Sequence, residues 1–215
     1  MCKLGQARGM PSTGLRERKK VATKEALSRA ALDLAIARGV DAVTAESIAE
    51  AAEVSARTFH NYFSSKEDAI LFVLDKTVQG LVDAFARCSA EEPVLDSLES
   101  VFVAVVESPG SLDRMIAVTR LMAQHPALIA RHVAVYDTTS NAMLAEIGRR
   151  TGTNPDIDLY PHLVHHAAGA VVRAVIELQI STGSETALSR SGLVDAVREG
   201  FTQLRRGLPQ PASTN

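Results

Sequence analysis

Tryptophan is absent from this 215-residue sequence, and the other large aromatics are scarce, with 3 Tyr and 6 Phe. Asn-Gly and Asp-Gly pairs are also missing. No segment alternates apolar with polar residues for long, so neither hairpins nor a sheet is predicted. The only cysteines, Cys2 and Cys88, make no disulfide framework, which fits a reducing cytoplasm. No apolar run approaches the ~20 residues that cross a bilayer. The opening "MCKLGQARGMPSTG" has no apolar stretch of the export-signal kind, and Met10 could serve as the start in place of Met1. A cytoplasmic protein with no membrane partner is therefore expected. Catalytic signatures are lacking too: there is no G-x-S-x-G elbow, phosphate-binding glycine loop, H-E-x-x-H or Cys–His pairing. No enzyme, no catalytic residue and no cofactor is expected. The formal net charge of −2 lacks the overall basic excess of many nucleic-acid binders.

What the sequence does hold is a core and a helical period. It is 46% hydrophobic and 22% charged, as for a globular protein with a sizeable interior. Apolar residues recur at three- and four-residue spacing almost throughout, which predicts an all-α fold of nine helices. The first spans 17–38 and stops at Gly39. A short one begins after Thr44, and another covers 56–62, with Ser55 as its cap. Ser64, with Glu67 three residues on, has the capping-box pattern for a long fourth helix. The stripe of that helix is Ile70, Leu74, Val78, Leu81 and Phe85. Breaks at 91–93, 108–111, 152–156 and 181–186 separate the remaining helices. Two domains are expected, 16–63 and 64–208, with disordered tails at 1–15 and 209–215.

Charge and aromatic residues are unevenly spread. Residues 1–70 hold 11 Lys and Arg against 9 Asp and Glu, net +2, and the rest of the chain is net −4. Much of the excess lies in "LRERKKVATK", where Lys19, Lys20 and Lys24 either track phosphates or form a solvated flank. The stretch 54–63 carries Phe59, Phe63, Tyr62, His60 and Asn61. Helix phase puts Phe59 and Phe63 inward with Val54, and Ala56, Arg57, His60 and Asn61 outward. Three helices, short or medium in length, with a tight turn between the last two make a helix-turn-helix, a unit whose second helix enters the DNA major groove. Arg pairs with guanine and Asn with adenine there, and Tyr62 can point its hydroxyl at a phosphate.

The segment "TAESIAEAAEVSARTFHNYFSSKEDAI" at 44–70 resembles the TetR family of bacterial transcriptional repressors. The resemblance rests on Thr44, Ile48-Ala49, Ala52-x-Val54-Ser55, Thr58-Phe59-x-x-Tyr62-Phe63 and Ser65-Lys66-Glu67. It implies that Thr44 bonds a phosphate, that Ser55, Arg57, Thr58, His60 and Asn61 face the groove, and that Tyr62 and Lys66 grip phosphates. His60 departs from the pattern, where Tyr or Phe is usual.

The helices after residue 70 would then bind a ligand and form a homodimer on a palindromic operator, and in the cell the protein would sit on the nucleoid. Small residues at 167–174 let helices approach closely, and the expected dimer contacts are Val171, Val175, Leu178, Val197, Phe201 and Leu204. Candidate ligand-lining residues are Phe102, Met115, Met122, His125, Tyr136, Asn141 and His165, a largely apolar set suited to a hydrophobic or amphipathic effector. The "GLRERKK" entry is similar to actinobacterial members that sense acyl-CoA-like compounds, and a drug-like effector is the alternative. His162, His165 and His166 have helical spacing compatible with metal ligation, but no Cys or Glu in the motif supports it, and no metal is expected. The expected function is a repressor released from DNA by a small molecule, with a constitutive DNA-binding regulator as the rival.

Overall fold

The computed structural model describes residues 14–181 and 188–210, the side chains of 134–139 apart. Among these residues there is no strand. Ten helical elements are present, one more than the expected nine. They are α1 (Leu15–Arg38), α2 (Ala45–Ala51), α3 (Ala56–Tyr62), α4 (Lys66–Ala86), α5 (Val94–Glu107), α6 (Ser111–Gln124), α7 (Pro126–Thr151), α8 (Leu159–Ser181) and α9 (Arg190–Arg205), with a 3-10 turn at Val40–Ala42. That turn is the additional element. Of the tails expected at 1–15 and 209–215, residues 1–13 and 211–215 lie outside the described residues, as do 182–186 of the break expected at 181–186; Leu15 already belongs to α1.

The helix ends follow from local chemistry. Gly39 stops α1 at φ 80°, a backbone conformation in which a side chain is strained. Helix α4 is capped one residue later than the sequence suggested: the Asp68 amide donates to Ser65 Oγ at 3.1 Å. Both serines have an acid three residues on, and it is Ser65 that takes the cap.

The chain divides into two compact units. One contains the described residues up to Thr77 together with Asp113–Tyr136, and the other Val78–Leu112 with the described residues from Asp137. Helices α4 and α7 each contribute to both. In the first unit, Leu27, Ala31, Ile48, Phe59 and Ile70 are fully buried, and Val118, Leu121 and Leu128 from α6 and α7 join the same core. Each fully buried large side chain of this kind contributes about 1.5–3 kcal/mol. This core fixes the angle at which α3 leaves the body.

In the second unit α9 packs on α5 and α8. Phe201 is fully buried, with its ring centroid 6.0 Å from that of Phe102. At Gly200 a Cβ would fall 2.5 Å from Val171 Cγ1, so α9 approaches α8 at a point where only glycine fits without rearrangement. Arg150 lies over the Phe85 ring at 4.5 Å and donates to the carbonyls of Ser89 and Glu92 and to Ser97 Oγ, at 2.6, 2.9 and 3.1 Å. One guanidinium thereby ties the α4–α5 connection to α7. By length and composition alone α8 is long and apolar enough to cross a membrane, with mean hydropathy 1.2 over its most apolar stretch. Here it is amphipathic: Val164, Ala168, Val171 and Val175 are buried, and Arg173 and Glu177 are exposed.

Candidate nucleic-acid interface

The helix-turn-helix is built by reciprocal caps and one strained residue. Thr44 Oγ1 accepts from the Ser47 amide at 3.2 Å, and Ser47 Oγ accepts from the Thr44 amide at 3.1 Å. Two otherwise open donors at the α2 N-terminus are thus satisfied. Glu46, beside them, is held below the usual carboxylate range by its own backbone N–H, then by the Thr44 hydroxyl, with a smaller contribution from His60. Helix α2 ends in a turn where the amide of Val54 donates to the carbonyl of Ala49 at 2.9 Å. Glu53 sits there at φ 54°, a left-handed conformation that costs an L-residue about 1–2 kcal/mol. Ser55 then caps α3: its Oγ accepts from the Thr58 amide at 3.1 Å and lies 2.8 Å from Thr58 Oγ1.

The seven residues of α3 divide as helix phase requires. Phe59 is fully buried, and its ring packs near Phe63 with centroids 5.9 Å apart. Arg57, His60 and Asn61 are exposed, as is the capping Ser55, and Thr58 and Tyr62 are half-buried. The His60 ring stands edge-on to Phe59, at 5.3 Å and 82°. One face of α3 therefore offers a cation, an imidazole and an amide, the donors and acceptors that base edges require.

The basic residues separate more than the sequence suggested. Lys19 and Lys20 are exposed and line a groove with Tyr62. Lys24 instead places its ammonium over the rings of Phe72 and Phe63, at 4.4 and 5.4 Å. Lys66 donates to the Val40 carbonyl at 2.8 Å, tying the start of α4 to the 3-10 turn. Arg16, already counted in the basic arm, and Thr23, not singled out from the sequence, share the groove wall. Their spacing of three from Lys19 and Lys20 was the available signal.

The other candidate residues are dispersed. Met115, Met122 and His125 belong to the unit that carries α3, and Met122 packs against its core. Phe102, Asn141 and His165 belong to the other unit, where Asn141 is exposed. The side chain of Tyr136 lies outside the described residues. His165 Nε2 lies 3.2 Å from the buried Ser140 hydroxyl, and burial, aided by His166 and His162, lowers its pKa to about 4. His162 bonds the Pro155 carbonyl at 2.7 Å, and no metal-binding cluster occurs among the described residues. Of the expected dimer contacts, Val171, Val175, Val197 and Phe201 lie in the protomer's own core, each at most 7% exposed. They leave almost no surface for a partner. Leu178 is 49% exposed, and Leu204 is half-buried.

Comparison with known proteins agrees with this architecture. The MftR C-terminal domain family matches residues 92–209, and the family of bacterial regulatory proteins, tetR family, matches residues 27–71. The HTH-type transcriptional regulator TcmR of Streptomyces glaucescens is 31% identical over 205 residues, covering 90% of this chain and 91% of its own length. A putative TetR-family transcriptional regulator from Syntrophomonas wolfei has a similar structure, with a TM-score of 0.62 at 16% identity, covering 91% of this chain and 100% of that one. FadR of Thermus thermophilus, a TetR-family repressor solved in complex with lauroyl-CoA, gives 0.55 at 21% identity, covering 89% and 98%. At such identities these two structures speak for the fold alone. The chain belongs to the TetR family of bacterial transcriptional regulators, which bind DNA through a helix-turn-helix.

Proposed function

We propose that this regulator is a homodimeric repressor that leaves a palindromic operator when a hydrophobic or amphipathic small molecule binds. The observation that carries the reading is the exposed face of α3, where Ser55, Arg57, His60 and Asn61 are held outward by the buried Phe59. Arg57 and Asn61 are the base readers, with Thr58 and His60 beside them. Tyr62, Thr44, Lys19 and Lys20 are the phosphate contacts. Lys66 acts through the placement of α4, given its bond to Val40.

A palindrome needs two heads. Tyr160, Leu163, Ala167, Ala170, Ala174 and Leu178 follow one another on α8 at spacings of three and four, outside the buried face. Tyr160, Leu163 and Leu178 are 47%, 57% and 49% exposed. This stripe is the proposed dimer seam. The effector binds in the unit of α5, α8 and α9, where Phe102 and the Ser140–His165 pair lie. An acyl-CoA-like molecule is the first choice, in keeping with the lauroyl-CoA held by the Thermus thermophilus relative. Because α4 and α7 run through both units, a shift in one helix segment is carried to the other. A coupling of ~1–3 kcal/mol changes operator affinity about 5–150-fold.

The test is selection of duplexes from a random library by the purified protein, followed by titration with acyl-CoAs and mass spectrometry of the native protein for a carried ligand. One enriched palindrome, released by one ligand class, is expected. Arg57→Ala should lose about 1–3 kcal/mol of discrimination at one base pair. Absence of any enriched sequence would sink the reading, and a palindrome that no small molecule releases would reduce it to a constitutive regulator.

A further inference from the structure

Arg150, near the end of α7, is a half-buried cation with no hydrogen-bonded carboxylate among the described residues. Its Nη2 makes all the hydrogen bonds of the side chain, to the carbonyls of Ser89 and Glu92 and to Ser97 Oγ. All three acceptors are neutral. Nε and Nη1 are buried and have no acceptor among the described residues. Between them they carry three of the five N–H groups of a guanidinium. The fully buried Phe85 ring covers one face of the cation, an attraction that leaves the donors at its edges unanswered. The acids close by are engaged elsewhere. Glu92 accepts from the Ser97 hydroxyl at 2.8 Å, and Glu146 is paired with Arg149. Buried donors in native proteins are nearly always satisfied, and a guanidinium bonds an oxyanion more strongly than it bonds a carbonyl.

We infer that Arg150 anchors an anion subsite, where its idle Nε–H and Nη1–H groups bind the carboxylate of an amphipathic acid. The inference rests on the amphipathic-effector reading above and names the group that recognises the polar end of that molecule. The cover over the guanidinium is the short connection between α4 and α5, where Ser89, Ala90 and Glu91 are exposed. Entry therefore asks a turn to give way, not a helix. Ten residues earlier on α7, about 15 Å along its axis, the Ser140–His165 pair makes a second polar point in the same unit. Met143, Leu144 and Ile147 lie between the two along α7, each at most 7% exposed. The alkyl tail lies against these apolar side chains, of which methionine adapts its shape most readily. The carboxylate end selects acids over neutral molecules of the same length.

The test compares decanoate with 1-decanol, which share a tail and differ at the head, by calorimetric titration of the full chain. Hydrogen bonds to a charged group correspond to about a 10- to 150-fold gain in affinity, so the wild-type protein should prefer decanoate by that factor. Arg150→Met keeps an apolar side chain on the Phe85 ring and should lose the preference, with decanol affinity within about twofold of wild type. Because Arg150 also ties down the α4–α5 connection, circular dichroism checks that this variant folds. A second measurement needs no variant: in protein labelled with ¹⁵N-arginine, one buried Nε–H resonance should shift with decanoate and stay in place with decanol. Equal binding of acid and alcohol by the wild type is the result expected if Arg150 is structural only, and it overturns the subsite. So does a folded Arg150→Met variant that still prefers the acid, and so does a wild type that binds neither probe. The effector reading fails separately. Decanoate that binds through Arg150 but leaves DNA bound removes that reading and keeps the subsite, whereas release of DNA by a ligand indifferent to Arg150→Met does the reverse.

Discussion

Adding one methyl group at Gly200 probes how closely α9 lies on α8. A Cβ there meets Val171 Cγ1 at 2.5 Å, Cγ2 at 3.3 Å and Cβ at 3.4 Å, while unstrained carbon atoms sit about 3.5–4 Å apart. Val171 is 7% exposed and β-branched, so its rotamer gives little, and α9 must move by about 1 Å to restore that separation. Overpacking of this kind costs about 1–3 kcal/mol. Replacing a helical glycine by alanine returns about 0.8–1 kcal/mol. Gly200→Ala should therefore destabilise the protein by about 1 kcal/mol on balance. In a Val171→Ala background both γ carbons are gone and only the 3.4 Å contact is left. The same Gly200→Ala change should then stabilise by about 1 kcal/mol, a reversal of sign and a coupling of about 2 kcal/mol. Urea unfolding of the four proteins at one fixed concentration, followed by circular dichroism, measures the cycle. Fixing the concentration keeps the mass-action contribution of association from varying between samples. Effects that add within about 0.5 kcal/mol would show that the two helices do not meet at this point.

Further outcomes follow from other parts of the structure. His165 has its folded pKa, about 4, below its unfolded value, so its contribution to stability is complete above pH ~6.5 and is lost as pH falls toward 4. Because the ring is partly solvated, the loss should be about 2 kcal/mol rather than the full linkage value, and His165→Gln should flatten that part of a urea-midpoint-against-pH curve. Glu53→Gly relieves a left-handed residue in the helix-turn-helix turn. It should gain about 0.5–1 kcal/mol in thermal or urea melts, after the entropy cost of glycine, with DNA affinity unchanged. Leu163→Asp, at a 57% exposed position, should give a folded monomer in sedimentation experiments. Phe201→Glu, at a fully buried one, should unfold the protein, as judged by circular dichroism.

Helix α3 was legible because everything that builds it is local. Phe59 and Phe63 lie four apart, Ser55 precedes the first turn, and helix phase alone separates them from Arg57, His60 and Asn61. Helix α8 was not legible in the same way, because it has two apolar faces. Val164, Ala168, Val171 and Val175 turn inward, while Tyr160, Leu163, Ala167 and Ala174 do not, and periodicity cannot say which face meets the protomer's own core. Lys24 stood in a basic arm that either tracks phosphates or forms a solvated flank, and Lys66 was a phosphate contact only by resemblance to the family. Their occupants come from far along the chain: Lys66 bonds a carbonyl 26 residues away, and Lys24 meets Phe72 on α4. The 3-10 turn escaped notice because three residues are too few to show a period. Ser64 and Ser65 could not be ranked as caps from sequence, because each has an acid three residues on.

Helix α4 is one rod of hydrogen bonds shared by two compact units, with the division after Thr77. Near that division the Thr77 hydroxyl donates back to the Val73 carbonyl at 2.8 Å, a bond that tends to bend helices. Gly80, exposed three residues later, makes the helix about 1 kcal/mol weaker there than alanine would. Amide protons along this single helix should therefore fall into two exchange classes, each opening with its own unit. The residues around 77–80 make the joint compliant, so the helix can fray at its middle while both ends stay folded. A mechanical element that yields at its centre transmits less than a stiff one, so under the proposed effector-driven release its stiffness there would set how much binding energy reaches α3.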